Sequence, residues 1–206
     1  MAINIFEWFS RNWNIIFPLG LSIIAIIFTA LKDFILPSFL KPKLEITYER
    51  KEPYKRQTHI KNNLDQMEVA FFYRFKIKNL GRITAKNCRS QIYSIKDKGC
   101  NELDLQGFPL RWANRPDSKE RLNISLGESE FVDLASTRIN SAGYFYFEPY
   151  HNISIGMNSE VILKDYTLKI IISGDNFKPY FIIFKINGSP KEKHILEITL
   201  KEVVRK

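Results

Sequence analysis

The chain has few of the residues that build reactive or cross-linked sites, with two cysteines and three histidines among 206 residues. Cys88 and Cys100 are too few for a disulfide framework, so the fold has to depend on its hydrophobic core. The histidines lie far apart in sequence, and none has a cysteine, histidine or aspartate at the spacing of a metal site. The sequence therefore predicts no metal centre and no bound cofactor.

Motifs of catalysis are missing as well. The sequence contains no nucleophile elbow, zinc-protease helix, P-loop or dinucleotide-binding glycine pattern. Paired carboxylates such as Glu128 and Glu130 occur in polar turns and strands, where solvation explains them better than acid–base chemistry. We therefore predict that the protein is not an enzyme and has no catalytic residues.

Charged residues are absent from one long stretch, the twenty residues from Asn12 to Leu31. At a rise of about 1.5 Å per residue, a helix of this length crosses the hydrocarbon core of a bilayer. A cleaved signal peptide would end in small residues, whereas bulky ones end this run. The sequence predicts an uncleaved transmembrane helix over 12–31, after a short interfacial start over 1–11 and before a juxtamembrane exit segment over 32–43. A span that starts earlier and tilts is an equal alternative to the interfacial start.

Basic residues near the ends of this run indicate its orientation, because Lys and Arg accumulate on the cytoplasmic side. Arg11 precedes the run, and several basic residues follow it. These later residues are Lys32, Lys41, Lys43, Arg50 and Lys51. A composition rich in Ile, Lys and Asn is typical of AT-rich bacterial or archaeal genomes. We therefore predict a single-pass protein of the cell (inner) membrane with its body in the cytoplasm.

The body, residues 44–206, follows the period of two that is typical of β-strands. The clearest case is the stretch 69–77, in which every second residue is apolar. No amphipathic helical pattern of useful length occurs after residue 43, and turn residues at 173–176 and 187–190 predict two hairpins. These features predict a mainly β fold, an antiparallel sandwich of about nine strands. The strands are predicted over 44–48, 69–77, 84–95, 110–113, 130–135, 144–147, 166–173, 180–186 and 194–202.

Two short motifs resemble those of immunoglobulin-like sandwiches, including the CARDB-type domains of prokaryotes. Asn79-Leu80-Gly81, followed by Ala85, is similar to the Asn-x-Gly…Ala hairpin of such domains. Leu126-Gly127-Glu128 with the apolar strand after it is similar to their Pro-Gly-Glu turn, with Leu126 in place of the proline. The resemblance implies an immunoglobulin-like fold, a hairpin at residues 79–81, and a binding or scaffolding role, since a fold alone carries no activity.

A basic cluster follows the exit segment in a chain of net charge +9. Its members are Arg50, Lys51, Lys55, Arg56 and Lys61. Such a cluster beside an anchor is suited to anionic headgroups, which attract each basic residue by about 1 kcal/mol. The alternative is a solvated loop, because Glu49 and Glu52 are interleaved. Nucleic-acid binding is not favoured, because the sequence has no basic stripe with interleaved aromatics and no helix suited to a groove.

A second candidate surface is the segment around Trp112, which has Arg111 and Arg115 on either side. Trp and Arg are favoured at binding hot spots, so these three residues form a candidate recognition patch. The alternative is that Trp112 fills the core of the sandwich while the two arginines face water.

Together these features predict a membrane-anchored, non-catalytic interaction module that binds a protein partner, with the lipid bilayer as its other partner. An extracytoplasmic adhesion or structural component is one alternative, which a bridge between Cys88 and Cys100 would favour. A membrane effector whose sandwich senses a ligand is the other.

Overall fold

A computed structural model describes residues 5–32, 40–61, 66–113, 121–140, 143–147, 160–188 and 195–205. The chain divides into two compact units, Met1–Lys41 and Pro42–Lys206. The first unit is helical and the second is built from antiparallel β-strands.

Helix α1 extends without a break over Ile5–Ala30 and so includes most of the predicted start segment. Its 26 residues give a length of about 39 Å. Within it, Asn12–Ala30 has a mean hydropathy of 2.0. The hydroxyls of Ser22 and Thr29 donate to backbone carbonyls four residues earlier, at 2.8 and 2.9 Å, so neither needs water as a partner. The helix is therefore long and apolar enough to span a membrane. Most of the predicted exit segment lies outside the described residues.

The β unit contains eleven strands in its described residues, all paired antiparallel. They are β1 Leu44–Thr47, β2 Lys55–Lys61, β3 Met67–Asn79, β4 Ala85–Asp97, β5 Leu122–Ile124, β6 Ser129–Arg138, β7 Tyr144–Tyr146, β8 Glu160–Ile162, β9 Tyr166–Ser173, β10 Tyr180–Asn187 and β11 Glu197–Arg205.

These strands form two sheets. The first has the order β1-β3-β6-β7-β8, with β2 pairing β3 alongside β1. The second has the order β11-β10-β9-β4-β5. Strands β9, β10 and β11 pair in succession, which confirms both predicted hairpins. The first of these turns needs Gly174, because a Cβ there would lie 2.7 Å from the backbone oxygen of Lys86.

The apolar faces of both sheets contribute to one hydrophobic core. Phe75 of β3 and Phe184 of β10 are fully buried, and their ring centroids are 5.6 Å apart. A tyrosine hydroxyl also links the two sheets, because Leu44 N of β1 donates to Tyr180 Oη of β10 at 3.1 Å. The alternation seen in the sequence over 69–77 thus marks the core-facing side of β3, although Ala70 and Phe72 on its other side are buried as well.

The strand count of eleven differs from the predicted nine. Eight predicted strands are present, but the segment at 110–113 makes only an isolated bridge, from Trp112 to Val132. Strands β2, β5 and β8 were missed. β2 lies within a charged stretch and is mostly exposed, and β5 and β8 are three residues long, so none carries a readable apolar alternation.

The predicted hairpin at residues 79–81 is wrong, because β3 and β4 lie in different sheets and do not pair with each other. The buried Asn79 side chain explains the crossing. Its Nδ2 donates to the carbonyls of Ile83 and Ile124 at 2.8 and 2.9 Å, and its Oδ1 accepts from Gly81 N at 2.9 Å. The amide therefore satisfies backbone groups of the connection that a two-stranded ladder would otherwise pair.

Candidate functional site

The members of the basic cluster predicted over residues 50–61 contact different parts of the β unit. Arg50 turns to the second sheet, where its Nε donates to Ile198 O at 3.1 Å and its Nη2 to Thr199 Oγ1 at 2.8 Å. Lys51 pairs with Glu49 at 2.7 Å. Arg50 is thus held against β11 of the second sheet.

The other members belong to β2, which pairs with β3 of the first sheet. The Nζ of Lys55 lies 4.9 Å from the centroid of the Phe71 ring, a cation–π contact. Arg56 and Lys61 are exposed, as are Gln57 and His59 between them. β2 therefore presents a mixed polar and basic strand to solvent.

Trp112 is buried, with 1% of its surface exposed, and it belongs to the hydrophobic core. This placement agrees with the core alternative for Trp112 rather than with a recognition patch. Arg111 turns to the opposite side of the segment, because successive side chains of an extended chain alternate. Arg115 lies outside the described residues.

Arg111 belongs instead to a buried ionic network on the outer face of the first sheet. The fully buried carboxylate of Asp133 accepts from Arg74 Nε at 2.6 Å and from Arg111 Nη2 at 2.8 Å. The ring of Phe72 is 5.7 Å from both guanidinium carbons. The Asp133 carboxylate is buried, and each of its oxygens already accepts a hydrogen bond from an arginine. The network therefore stabilises the sheet and is poorly placed to bind a ligand.

The second sheet carries a polar cleft on its solvent face. Thr167, Lys185 and Thr199 are partners in the register of β9, β10 and β11, so they form one row across three strands. Their neighbours Phe184, Ile186 and Ile198 point into the core. Arg50 and Lys201 line the same cleft. The cleft therefore brings together two threonine hydroxyls and the cations Arg50, Lys185 and Lys201, while a fourth cation, Lys98, pairs with Asp165.

Three carboxylates also line this cleft, and each accepts from a donor other than Arg50, Lys185 and Lys201. Asp97 accepts from the side chain and backbone of Asn101, and these bonds lower its pKa. Asp165 accepts from Lys98 and from a backbone N–H, and the bond from Lys98 lowers its pKa. Glu197 accepts from an amide across the hairpin at 3.0 Å. All three therefore have donors of their own.

The alternation along β10 and β11 would have placed Lys185 and Thr199 on one solvent face, given the hairpin between them. No signal in the sequence would have added Arg50, which is 149 residues away from Thr199. This contact is what separates the cleft from an ordinary polar sheet face.

Metal ligands do not converge anywhere in the ranges that the structure covers: no group of three His, Cys, Asp or Glu side chains could hold an ion. The cysteines are unpaired, Cys88 buried and Cys100 exposed. Burial raises the pKa of the Cys88 thiol to about 12.

The two cysteines should differ sharply in reactivity. The thiolate is the reactive form, so a raised pKa and burial both protect Cys88 at pH 8. We expect iodoacetamide to modify one thiol in the native full-length chain and both after denaturation, as counted by mass spectrometry. The variant C100S is the control and should show none in the native state. Two modified thiols in the native wild type would contradict the burial of Cys88, and none after denaturation without reductant would reveal a bridge.

Comparison of the chain with family models, with curated proteins and with solved structures finds no match.

Proposed function

We propose that the protein is a single-pass, membrane-anchored interaction module without catalytic activity, whose β unit binds a protein partner at the cytoplasmic face of the cell membrane. The observation that carries this proposal is an apolar helix of membrane-spanning length joined to a separate antiparallel β unit. The positive flank of the helix supports the cytoplasmic side.

For the β unit we propose an immunoglobulin-like sandwich. Two sheets that share one core support this architecture. Hydrogen bonds between the two motifs that resemble immunoglobulin-like domains, Asn79-Leu80-Gly81 and Leu126-Gly127-Glu128, also support this architecture. Asn79 N donates to Glu128 O at 3.0 Å, and Gly127 N donates to Asn79 O at 2.9 Å. The Asn-x-Gly and Gly-Glu turns therefore lock together, although 45 residues separate Asn79 from the Ile124 carbonyl that it also binds.

The solvent-exposed strand β2, with Lys55 and Lys61 on one side and Arg56 on the other, is the surface that we propose for attraction to acidic partners, either anionic headgroups or a protein. Its exposed residues Arg56 and Lys61 and the half-buried Lys55 are basic. Exposed basic residues of this kind raise association rates with acidic surfaces and lose their effect as salt increases.

A topology experiment tests the anchor and its orientation together. We expect the full-length chain to remain in the membrane fraction after alkaline carbonate extraction, with an intact mass that includes the apolar helix. A reporter active only in the cytoplasm, fused after Lys206, should be active, and one active only outside should be silent.

The matched control replaces Ile23 and Ile27 of the helix with arginine. Each such residue near the middle of a span costs about 2.5–3.5 kcal/mol in membrane insertion. The doubly substituted chain should leave the membrane fraction. A mass lacking the helix would show a cleaved signal, and activity of the outside reporter alone would favour an extracytoplasmic component.

A further inference from the structure

The cleft on the second sheet has the chemistry of an oxyanion site. Arg50, Lys185 and Lys201 line it, and among the residues that the structure describes none of these cations forms an ion pair with a carboxylate. Two hydroxyls, those of Thr167 and Thr199, lie in the same row. Three carboxylates line the cleft as well, and each accepts from a donor other than these three cations.

Two hydrogen bonds fix the orientation of the Arg50 guanidinium. Two of its five donors are used, Nε on a backbone carbonyl and Nη2 on Thr199 Oγ1. The remaining donors keep a fixed direction, so an anion would not have to immobilise the side chain. Because Thr199 Oγ1 accepts from Arg50, its own proton is available to donate.

Lys185 completes the arrangement. It lies directly across from both Thr167 and Thr199 in the sheet register, so its Cβ is about 4.5–5.5 Å from theirs. Lys201 falls at the β-bulge of β11, where the ladder shifts register opposite Ile183 and Phe184. A compact tetrahedral anion suits this spacing, because it can accept from a guanidinium, an ammonium and hydroxyls at once.

We propose that this cleft binds a phosphate group, either of a soluble phosphorylated ligand or of a phospholipid headgroup. Arg50 and Lys185 are its principal donors, and Thr199 holds Arg50 in place. The inference goes beyond the protein partner proposed above and does not depend on it.

Calorimetric titration of the full-length chain in zwitterionic micelles with inorganic phosphate tests the site. We expect saturable binding that weakens as chloride increases. K185Q should weaken it about tenfold or more, because it removes a hydrogen bond to a charged group. T199V keeps the branched shape but removes the hydroxyl, and should weaken binding as well. K178Q is the matched control, an exposed lysine in the turn between β9 and β10, and should bind as the wild type does.

Near-UV circular dichroism confirms that each variant is folded. The proposal is overturned if wild type and K185Q bind phosphate equally, if K178Q weakens binding as much as K185Q, or if the folded wild type shows no saturable binding.

A second arm distinguishes the two sources of phosphate. The chain is placed in nanodiscs of phosphatidylcholine, with or without phosphatidic acid. Loss of free-phosphate binding in nanodiscs with phosphatidic acid, but not in those of phosphatidylcholine alone, supports the site and assigns it to the headgroup. Equal binding in both nanodiscs supports the site and assigns it to a soluble ligand. A result against the headgroup does not contradict the proposed membrane anchor, because carbonate extraction tests the anchor separately.

Discussion

Asp133→Ala is expected to lower the free energy of unfolding by about 3–5 kcal/mol, because it leaves two guanidiniums at a buried site without their counter-charge. The Arg74 side chain is 9% exposed and Asp133 is fully buried, so water cannot replace the lost carboxylate at Arg74. For a unit of about 165 residues, each kcal/mol corresponds to about 2–4 °C of melting temperature. The melting temperature of the full-length chain in detergent should therefore fall by about 6–20 °C, as followed by circular dichroism.

Two further variants separate the lost charge from the lost contacts. R111A removes a guanidinium that is 31% exposed, and Asp133 still has Arg74 as its partner in this variant. R111A should therefore lower the free energy of unfolding clearly less than D133A does. The combined variant R74M/D133L replaces the buried pair by apolar groups and should recover much of the stability. A melting temperature of D133A within about 2 °C of wild type would show that the network contributes little.

Trp112→Ala should lower the free energy of unfolding by about 3–5 kcal/mol. Trp112 is the largest fully buried side chain among the described residues, so its truncation leaves a large cavity in the core. Thermal unfolding of the full-length chain measures the loss. Y144A is the control, because Tyr144 is an aromatic strand residue that is 38% exposed and should cost much less.

This experiment also decides between the two interpretations of the segment around Trp112. If Trp112 were a surface residue that binds a partner, W112A would have the melting temperature of the wild type and would lose only partner binding. A large fall in melting temperature is expected instead, because the surrounding core cannot collapse into a space of that size.

The parts of the fold that could be predicted are those fixed by local sequence. The meander of β9, β10 and β11 combines apolar alternation with Gly-containing turns, and both signals lie within a few residues of each other. The apolar helix is equally local, because length and hydropathy define it.

The parts that could not be predicted depend on distant partners. Arg74 lies between the apolar positions of 69–77, yet it is only 8% exposed, and its partner Asp133 is 59 residues away in sequence. The turn after Asn79 predicts a hairpin but connects two sheets, because local sequence does not distinguish a turn within a sheet from a crossing between sheets. The complete cleft of the second sheet could not be predicted either, because Arg50 reaches it through a contact with residues that are distant in sequence.

The contact between Arg50 and β11 has a consequence for the time course of synthesis. Arg50 and Ile198 are separated by 148 positions, and Leu44 and Tyr180 by 136. At about 5–20 residues per second, roughly 10–30 s pass between translation of the first strand and that of the last. The apolar helix is then already made, while β1 and the core side of β3 still await the strands that will cover them. During this interval the core sides of these strands are uncovered in the nascent chain, so we expect the chain to be most prone to aggregation before β11 has been made.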